Sequence, residues 1–328
     1  MQTPQTPIHS GFTDASTASD VLSGIDLSGK TAIVTGGYSG IGVETTRALR
    51  AAGARVIVPA RDLDKARRTL AGIDAQIRPM DLADPASIDA FADGFLATNE
   101  PLHILIDSAG VMACPLSRDA RGYEMQFATN HLGHFQLVAR LWPALRQANG
   151  ARVVSVSSRG HRFAAVDFDD PQFDLRDYDP WVAYGQSKTA NVLFAVGLDA
   201  RGRAHGIRAF AVHPGAIVTD LARHMSPDVL RSMGAIDADG QPVTDLTKGF
   251  KNVAQGASTS VWAATSPQLE GMGGVYCEDN DISPLLTPSA IPAEGLSHER
   301  GVLPWAIDRD ASDRLWVLSE SLTGVTFP

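Results

Sequence analysis

Tyr184 and Lys188 stand four residues apart in the stretch VAYGQSKTANVLFAV, at 182–196. On a helix that spacing is about one turn, so the phenol and the ammonium share a face. An ammonium beside a phenol stabilises the phenolate and lowers its pKa. Such a phenol can exchange protons near neutral pH, as general acid/base catalysis requires. A surface helix can reach the same spacing by chance, so the pair needs support from the rest of the chain.

Two further polar residues offer it. Ser158 closes the apolar run ARVVSVSS (151–158), and its hydroxyl could hydrogen-bond an oxygen on which charge develops; Ser157 is the alternative. Asn130 sits in FATNHLGHFQL, an apolar helical pattern in which a buried amide must find partners. A break in the helix or a water relay to Lys188 would each explain it. Reducing a carbonyl needs a proton and a hydride, and the hydride is cofactor chemistry.

A cofactor site is legible in TAIVTGGYSGIGVETTRALRAAGA (31–54). Gly36, Gly40 and Gly42, with Tyr38, Ser39 and Ile41 among them, lie between a strand-like run and an amphipathic helix. Glycines there allow a tight turn and close backbone approach, and the helix N-terminus offers free N–H groups to a pyrophosphate. At the end of the next run, ARVIVPA (54–60), an NAD site usually carries a carboxylate. Here the position is Ala60, followed by Arg61, whose guanidinium suits a 2′-phosphate. Asp62 is read as the N-cap of a helix starting at Leu63. NADP(H) is therefore the preferred cofactor, and NAD(H) stays open because Asp62 could instead hold the ribose.

Positioning these groups takes a regular frame. Apolar runs at 31–37, 54–60, 103–110, 151–158 and 207–215, a weaker one at 273–279 and a short one around QIRPMDL alternate with helical patterns. That alternation predicts an α/β fold: a single doubly wound parallel-sheet Rossmann domain over 27–328, with helices on both faces. Residues 1–26, rich in Thr, Ser, Pro and Gln, are expected as a flexible or loosely wrapped arm. The pattern loosens at 222–250 and 281–305, two expected substrate-lid segments.

Composition narrows the rest. Of 328 residues, 44% are hydrophobic and 20% charged, and the net charge is −9, which disfavours nucleic-acid or anionic-membrane binding. Two cysteines, Cys114 and Cys277, suit a reducing compartment. No secretory leader and no apolar run of the ~20 residues a membrane span needs is evident, so a soluble cytoplasmic protein is expected. His131 and His134 lie three apart on one helix, but without further ligands a packing role is favoured and no metal is expected. His213 is read as ordering its loop, and Cys114 not as a nucleophile. Phe163, Trp181, Met112 and Met225 could line a substrate pocket or fill core.

Taken together, the chain resembles the short-chain dehydrogenase/reductase family in the subclass with T-G-x-x-x-G-x-G and Y-x-x-x-K. The match falls at Thr35, Gly36, Gly40, Gly42, Asn130, Ser158, Tyr184 and Lys188, and extends over about 27–277. WVAYGQSKTANVLFA, NHLGHFQL and DLSGKTAIVTG resemble the retinol dehydrogenase and WW-domain oxidoreductase branch. The resemblance implies an NAD(P)-dependent oxidoreductase of CH–OH groups, interconverting a secondary alcohol and a ketone. Tyr184 would be the general acid/base and Ser158 would polarise the substrate oxygen. Lys188 would hold the ribose and lower the tyrosine pKa, and Asn130 would anchor a proton relay. Asp81 and Leu82 would meet adenine; Ser108, Ala109 and Gly110 would line the cleft; Pro214, Gly215, Ile217 and Thr219 would flank the nicotinamide. A homodimer or homotetramer would form through the helices containing His134 and Val192. A bulky apolar or aromatic ketone is the expected substrate; the branch alone suggests aldehydes or retinoid-like molecules.

The chain departs from the family at Asp107–Ser108, where two asparagines are usual. Ser108 has shorter reach, and Asp107 must find partners if buried. This departure is the one feature favouring a non-catalytic dinucleotide sensor. A sugar-nucleotide epimerase shares the Tyr/Lys spacing but is disfavoured by the glycine spacing.

Overall fold

Among the described residues, eight strands form one sheet in the order β3-β2-β1-β4-β5-β6-β7-β8. They are β1 Thr31–Thr35, β2 Arg55–Ala60, β3 Gln76–Pro79, β4 Ile104–Asp107, β5 Ala151–Val156, β6 Ile207–His213, β7 Val275–Glu278 and β8 Asp281–Ile282. All neighbours are parallel except β7 and β8, which pair antiparallel. The computed structural model describes residues 3–287 and 299–327. The seven runs expected as strands are all strands, and the sheet is the Rossmann-type α/β arrangement. The sequence reading had no place for β8, a two-residue strand too short to show a pattern.

Apolar residues alternate between the two faces of the sheet because successive side chains point to opposite sides. Ile33, Leu105, Val153 and Ala209 face one core, closed by α4 (Pro85–Leu96), α6 (Gly133–Gln147) and α7 (Pro180–Gly202). Ala32, Val34, Ile106, Val154 and Phe210 face the other, closed by α2 (Ile41–Ala51) and α9 (Val253–Thr265). The strand order reverses between β1 and β4, and open α/β sheets bind ligands in the crevice this creates. α3 (Leu63–Thr69) begins as expected, with the Asp62 carboxylate accepting from Lys65 N at 2.8 Å.

The structure bears on three further expectations. The N-terminal arm is docked. Its short helix α1 (Ala18–Val21) carries a capping box and packs against α2 and α9. The Gln5 carboxamide donates to Tyr276 O and Ser283 O, both at 2.7 Å, and accepts from Tyr276 N at 2.9 Å. Ile8 and His9 amides donate to the Asp281 carboxylate. A Thr/Ser-rich composition does not reveal such long-range partners.

The surface expected between subunits is covered from within the chain. His134 and Val192 are buried. Helix α10 (Arg309–Thr323) lies along α7, where Trp316 stacks on Phe194 with ring centroids 6.0 Å apart. Phe135 on α6 meets both Trp316 and Phe327 at 5.2 Å. A second copy docking there would have to displace α10.

The 222–250 lid is irregular but not featureless: it contains α8 (Pro227–Ser232), capped by Ser226, and an isolated bridge between Ile236 and Pro242. Of the expected lid at 281–305, residues 288–298 lie outside the described residues. Its two ends are joined, with Leu286 N donating to Val302 O and Val302 N to Pro284 O.

Candidate active site

Tyr184 projects from the first turns of α7, a helix that starts at Pro180 beneath an Asp179 cap. The phenol is buried, and the Ser158 side chain lies beside it: a Cβ added at Gly160 would meet Tyr184 Cε1 at 2.7 Å and Ser158 Oγ at 3.3 Å. Ser158 ends the strand region of β5, and its hydroxyl also accepts from Gly160 N at 3.0 Å, starting a short 3-10 turn. Ser157 is spoken for: its hydroxyl donates to Lys188 O at 2.7 Å, inside the protein. Of the two serines, Ser158 is the one the fold brings to Tyr184.

Lys188 lies one turn further along the same face. Its Nζ donates to Val156 O at 2.9 Å and sits 5.7 Å from the centre of the Tyr184 ring. Burial lowers the lysine to about 7. Tyr184 moves opposite to expectation: burial pushes it up to about 12, with the Ser158 hydrogen bond pulling against that. Taking the phenolate's charge out of water costs more than the Ser158 side chain beside it returns.

Asn130 occupies a five-residue π-helical stretch, Ala128–Leu132, between the three-residue α5 (Met125–Phe127) and α6. Single π turns are frequent at functional sites. Its amide accepts from Val111 N at 2.8 Å and donates to Val111 O and Ser187 Oγ, each at 2.9 Å. Its freed carbonyl accepts from Asn191 Nδ2 at 2.7 Å and meets the His134 ring at 3.1 Å. Asn130 thus ties the segment after β4 to α7. A Cβ built on Gly110 would lie 2.9 Å from Asn130 Oδ1 and 3.7 Å from Lys188 Nζ, so Gly110 stands between the two.

The cofactor candidates gather along the crevice. Gly36, Tyr38, Ser39 and Gly40 form the turn between β1 and α2; Ile41 and Gly42 open the helix, whose N-cap Gly40 brings no capping side chain. The N–H groups of that first turn are thus free of side-chain competition, which fits a phosphate. Thr219, capping a short turn after β6, rests on Gly40: a Cβ there would meet Thr219 Cβ at 3.1 Å. Ile217 packs on Gly256 of α9. Arg61 is exposed at the end of β2, and Asp81 accepts from Ala83 N at 3.0 Å just after β3, beside buried Leu82. These groups fit a dinucleotide laid across β1, β2 and β4.

The Asp107–Ser108 departure has a definite structural outcome. Asp107 is buried and neither carboxyl oxygen has a hydrogen-bond partner among the described residues. Burial raises its pKa well above the usual carboxylate range, which favours the neutral acid. Thr35 ties the strands instead: its hydroxyl oxygen accepts from Ser108 N at 2.9 Å and Ala109 N at 3.0 Å. His134 Nε2 meets the same oxygen at 2.9 Å, and His131 Nε2 meets Ser319 Oγ at 2.7 Å. Both histidines thus serve the interior, and burial lowers them to about 4 and about 3.

Beside Tyr184 the rings of Trp181 and Phe163 continue outward, edge to face, at 6.1 Å and then 5.6 Å between centroids. Phe163 is 37% exposed, while Met112 and Met225 are half-buried.

This site lies on a dinucleotide-binding α/β fold, with a phenol, a hydroxyl and an ammonium at the carboxyl ends of its strands. Residues 30–170 match the family model for short chain dehydrogenases. The chain is 45% identical over 299 residues to a probable oxidoreductase of Streptomyces lividans, covering 89% of this chain and 97% of that one. It is 37% identical over 309 residues to human retinol dehydrogenase 12, covering 92% and 88%. Among solved structures it resembles the RhlG/NADP active-site complex of Pseudomonas aeruginosa, with TM-score 0.60 and 25% identity over 77% of this chain and 95% of that one. The chain belongs to the short-chain dehydrogenase/reductase family, in its retinol dehydrogenase-like branch. It is an oxidoreductase acting on CH–OH groups of small molecules, in a family that binds NAD(P). Among the described residues no helix is long and apolar enough to cross a membrane.

Proposed function

We propose that the protein interconverts a bulky, apolar or aromatic secondary alcohol and its ketone, with NADP(H) as preferred cofactor and Tyr184 as general acid/base. One observation carries this reading: a buried phenol with the Ser158 hydroxyl beside it around Gly160, and Lys188 Nζ 5.7 Å from its ring. The nicotinamide cofactor, when bound, supplies or accepts the hydride. In the reductive direction, Tyr184 Oη gives its proton to the carbonyl oxygen as charge develops there. Ser158 Oγ donates a hydrogen bond to the same oxygen. Lys188 holds the ribose hydroxyls and returns a proton towards Tyr184. Asn130 fixes the Gly110–Val111 backbone beside Lys188 and anchors the proton relay.

Arg61 supports the cofactor preference: an exposed guanidinium at the end of β2 suits a 2′-phosphate, while Asp62 is occupied in capping α3. NAD(H) remains the second cofactor. The Phe163–Trp181–Tyr184 ring series supports an apolar or aromatic substrate, since such rings bury large area against it. A homodimer or homotetramer belongs to the same reading, formed through a surface other than the one α10 covers. The cytoplasm is the compartment we assign, supported by two free, buried cysteines. The sensor reading loses its one support, because Thr35 supplies the strand ties that Asp107 and Ser108 do not.

The test is direct. Fluorescence titration with NADPH and NADH should show tighter NADPH binding, and aromatic ketones should then be turned over. Tyr184→Phe should abolish turnover and leave cofactor binding nearly intact. Wild-type turnover in that variant would remove Tyr184 from the mechanism.

A further inference from the structure

β7 ends on the carboxylate of Glu278, and the turn after it begins on that of Asp279; the two side chains take different partners. Glu278 is fully buried. Its Oε1 accepts from Arg159 Nε at 2.8 Å, and its Oε2 accepts from Ser283 Oγ at 2.8 Å and Gly301 N at 2.7 Å. Arg159 directly follows Ser158, and its own N–H donates to His213 Nδ1 at 3.2 Å. His213 is the register partner of Glu278 across β6 and β7. The backbone that carries Ser158 is therefore gripped twice, through the Arg159 side chain and through its amide.

Asp279 reaches the other wall. It takes a left-handed conformation, φ 50°, and its Oδ1 accepts from Lys251 Nζ at 2.6 Å. Its Oδ2 lies 3.4 Å from Arg300 Nε. Lys251 is 4% exposed, so this ion pair is interior rather than solvated. The Lys251 N–H donates to Ala216 O at 2.9 Å. Its stem lies flat on Gly215, where a Cβ would sit 2.6 Å from Lys251 Cδ. Lys251 also follows Phe250, which bridges to Ala216 as the 222–250 segment returns.

We propose that Glu278 and Asp279 are positioning residues of separate function: Glu278, through Arg159, sets Ser158, and Asp279, through Lys251, sets the Pro214–Gly215 loop. The last residue of β7 and the first of the turn after it thus fix the distance between the group that grips the substrate oxygen and the loop that faces the cofactor. An interior ion pair transmits position because its groups have little water to turn to instead. The inference rests on the proposed roles of Ser158 and Gly215, but its geometry does not.

The experiment uses the full chain with Glu278→Gln, Asp279→Asn and Lys251→Met, the last keeping the stem over Gly215 without the charge. Glu278→Gln should lower kcat on the order of tenfold and leave NADPH Kd within about twofold. Asp279→Asn and Lys251→Met should each raise NADPH Kd on the order of tenfold and leave kcat at saturating cofactor within about twofold. Hydrogen exchange read by mass spectrometry should rise at 159–161 in the first variant and at 250–252 in the other two. Should Glu278→Gln fail to fold, Arg159→Lys keeps a cation beside Glu278 without the planar fork and carries the same expectation. Equal loss of kcat and affinity in all variants, or exchange rising everywhere alike, would reduce the pair to a common strut and overturn the proposal. So would no change in any readout. If Tyr184→Phe stays active, the proposed function fails, while the exchange pattern still decides this inference.

Discussion

Gly160 lies against the face of Tyr184: a Cβ added there would sit 2.7 Å from Cε1 and 3.0 Å from Cδ1 of the ring. The same residue's amide donates to Ser158 Oγ. One glycine thus sets both the ring and the hydroxyl. Gly160→Ala should push the phenol off the serine and cut kcat by about a hundredfold, the scale of a 1 Å misplacement. Steady-state kinetics beside a thermal melt checks this; an unchanged kcat in a folded variant would show that the ring has room to move.

Arg61 makes no hydrogen bond or ion pair among the described residues, so a substitution there disturbs little else. Arg61→Asp should weaken NADPH binding by about tenfold to a hundredfold, as the loss of a charge-assisted contact implies, and spare NADH. Paired fluorescence titrations decide it. Equal weakening of both cofactors would mean that another group reads the 2′-phosphate.

Asp107 gives a stability prediction with a definite sign. Its unfolded carboxyl ionises near its ordinary 3.8, while in the fold burial raises the value well above that. Above about pH 4 the unfolded chain sheds the proton and the folded chain keeps it, so stability falls as pH rises towards the folded value. Asp107→Asn does not titrate. Its stability relative to wild type should climb from pH 4.5 to pH 8, by roughly 1.4 kcal/mol per unit within the window. Urea melts at the two pH values measure it; a constant difference would mean that Asp107 is ionised in the fold.

Lys188 runs the other way. Its ordinary value is 10.5 and its folded value about 7. Below pH 7 both states hold the proton, so the cost of burying the ammonium is fully present. Between 7 and 10.5 the unfolded chain binds more protons, and stability rises with pH. Lys188→Met should therefore lose activity but stabilise the protein at pH 6, on the order of a few kcal/mol, and the gain should shrink by pH 10. Denaturation curves across that range, with turnover measured alongside, provide the check.

Much of this was legible in the chain. The strands were visible because both faces of the sheet are covered, so their apolar runs are nearly unbroken, as in β1 with all five residues buried. The cap at Asp62 and the turn at Gly36–Gly42 are local devices, and local devices leave local signatures. Other features depend on groups distant in sequence. A break in the helix at Asn130 is one reading of its buried amide, but not its form as a π turn, in which Asn191 and His134 take the Asn130 carbonyl. The rise of the Tyr184 pKa comes from burial under elements that the spacing of Tyr184 and Lys188 does not mention. Glu278 and Lys251 carry no motif; only the meeting of β7 with the loops after β5 and β6 makes them visible.

The two ends of the described chain close on structure formed far away in sequence. Gln5 is bound to Tyr276 across 271 positions. Trp316 and Phe327 complete the aromatic cluster on α6 and α7. During synthesis, then, α6 and α7 emerge with Phe135, Trp142 and Phe194 uncovered, and they wait for residues made more than a hundred positions later. Contacts of such separation form slowly, because loop closure must precede their reward. The nascent chain therefore carries an adhesive aromatic surface through roughly half of its translation, and the yield of native protein in a cell depends on what shields that surface until α10 arrives.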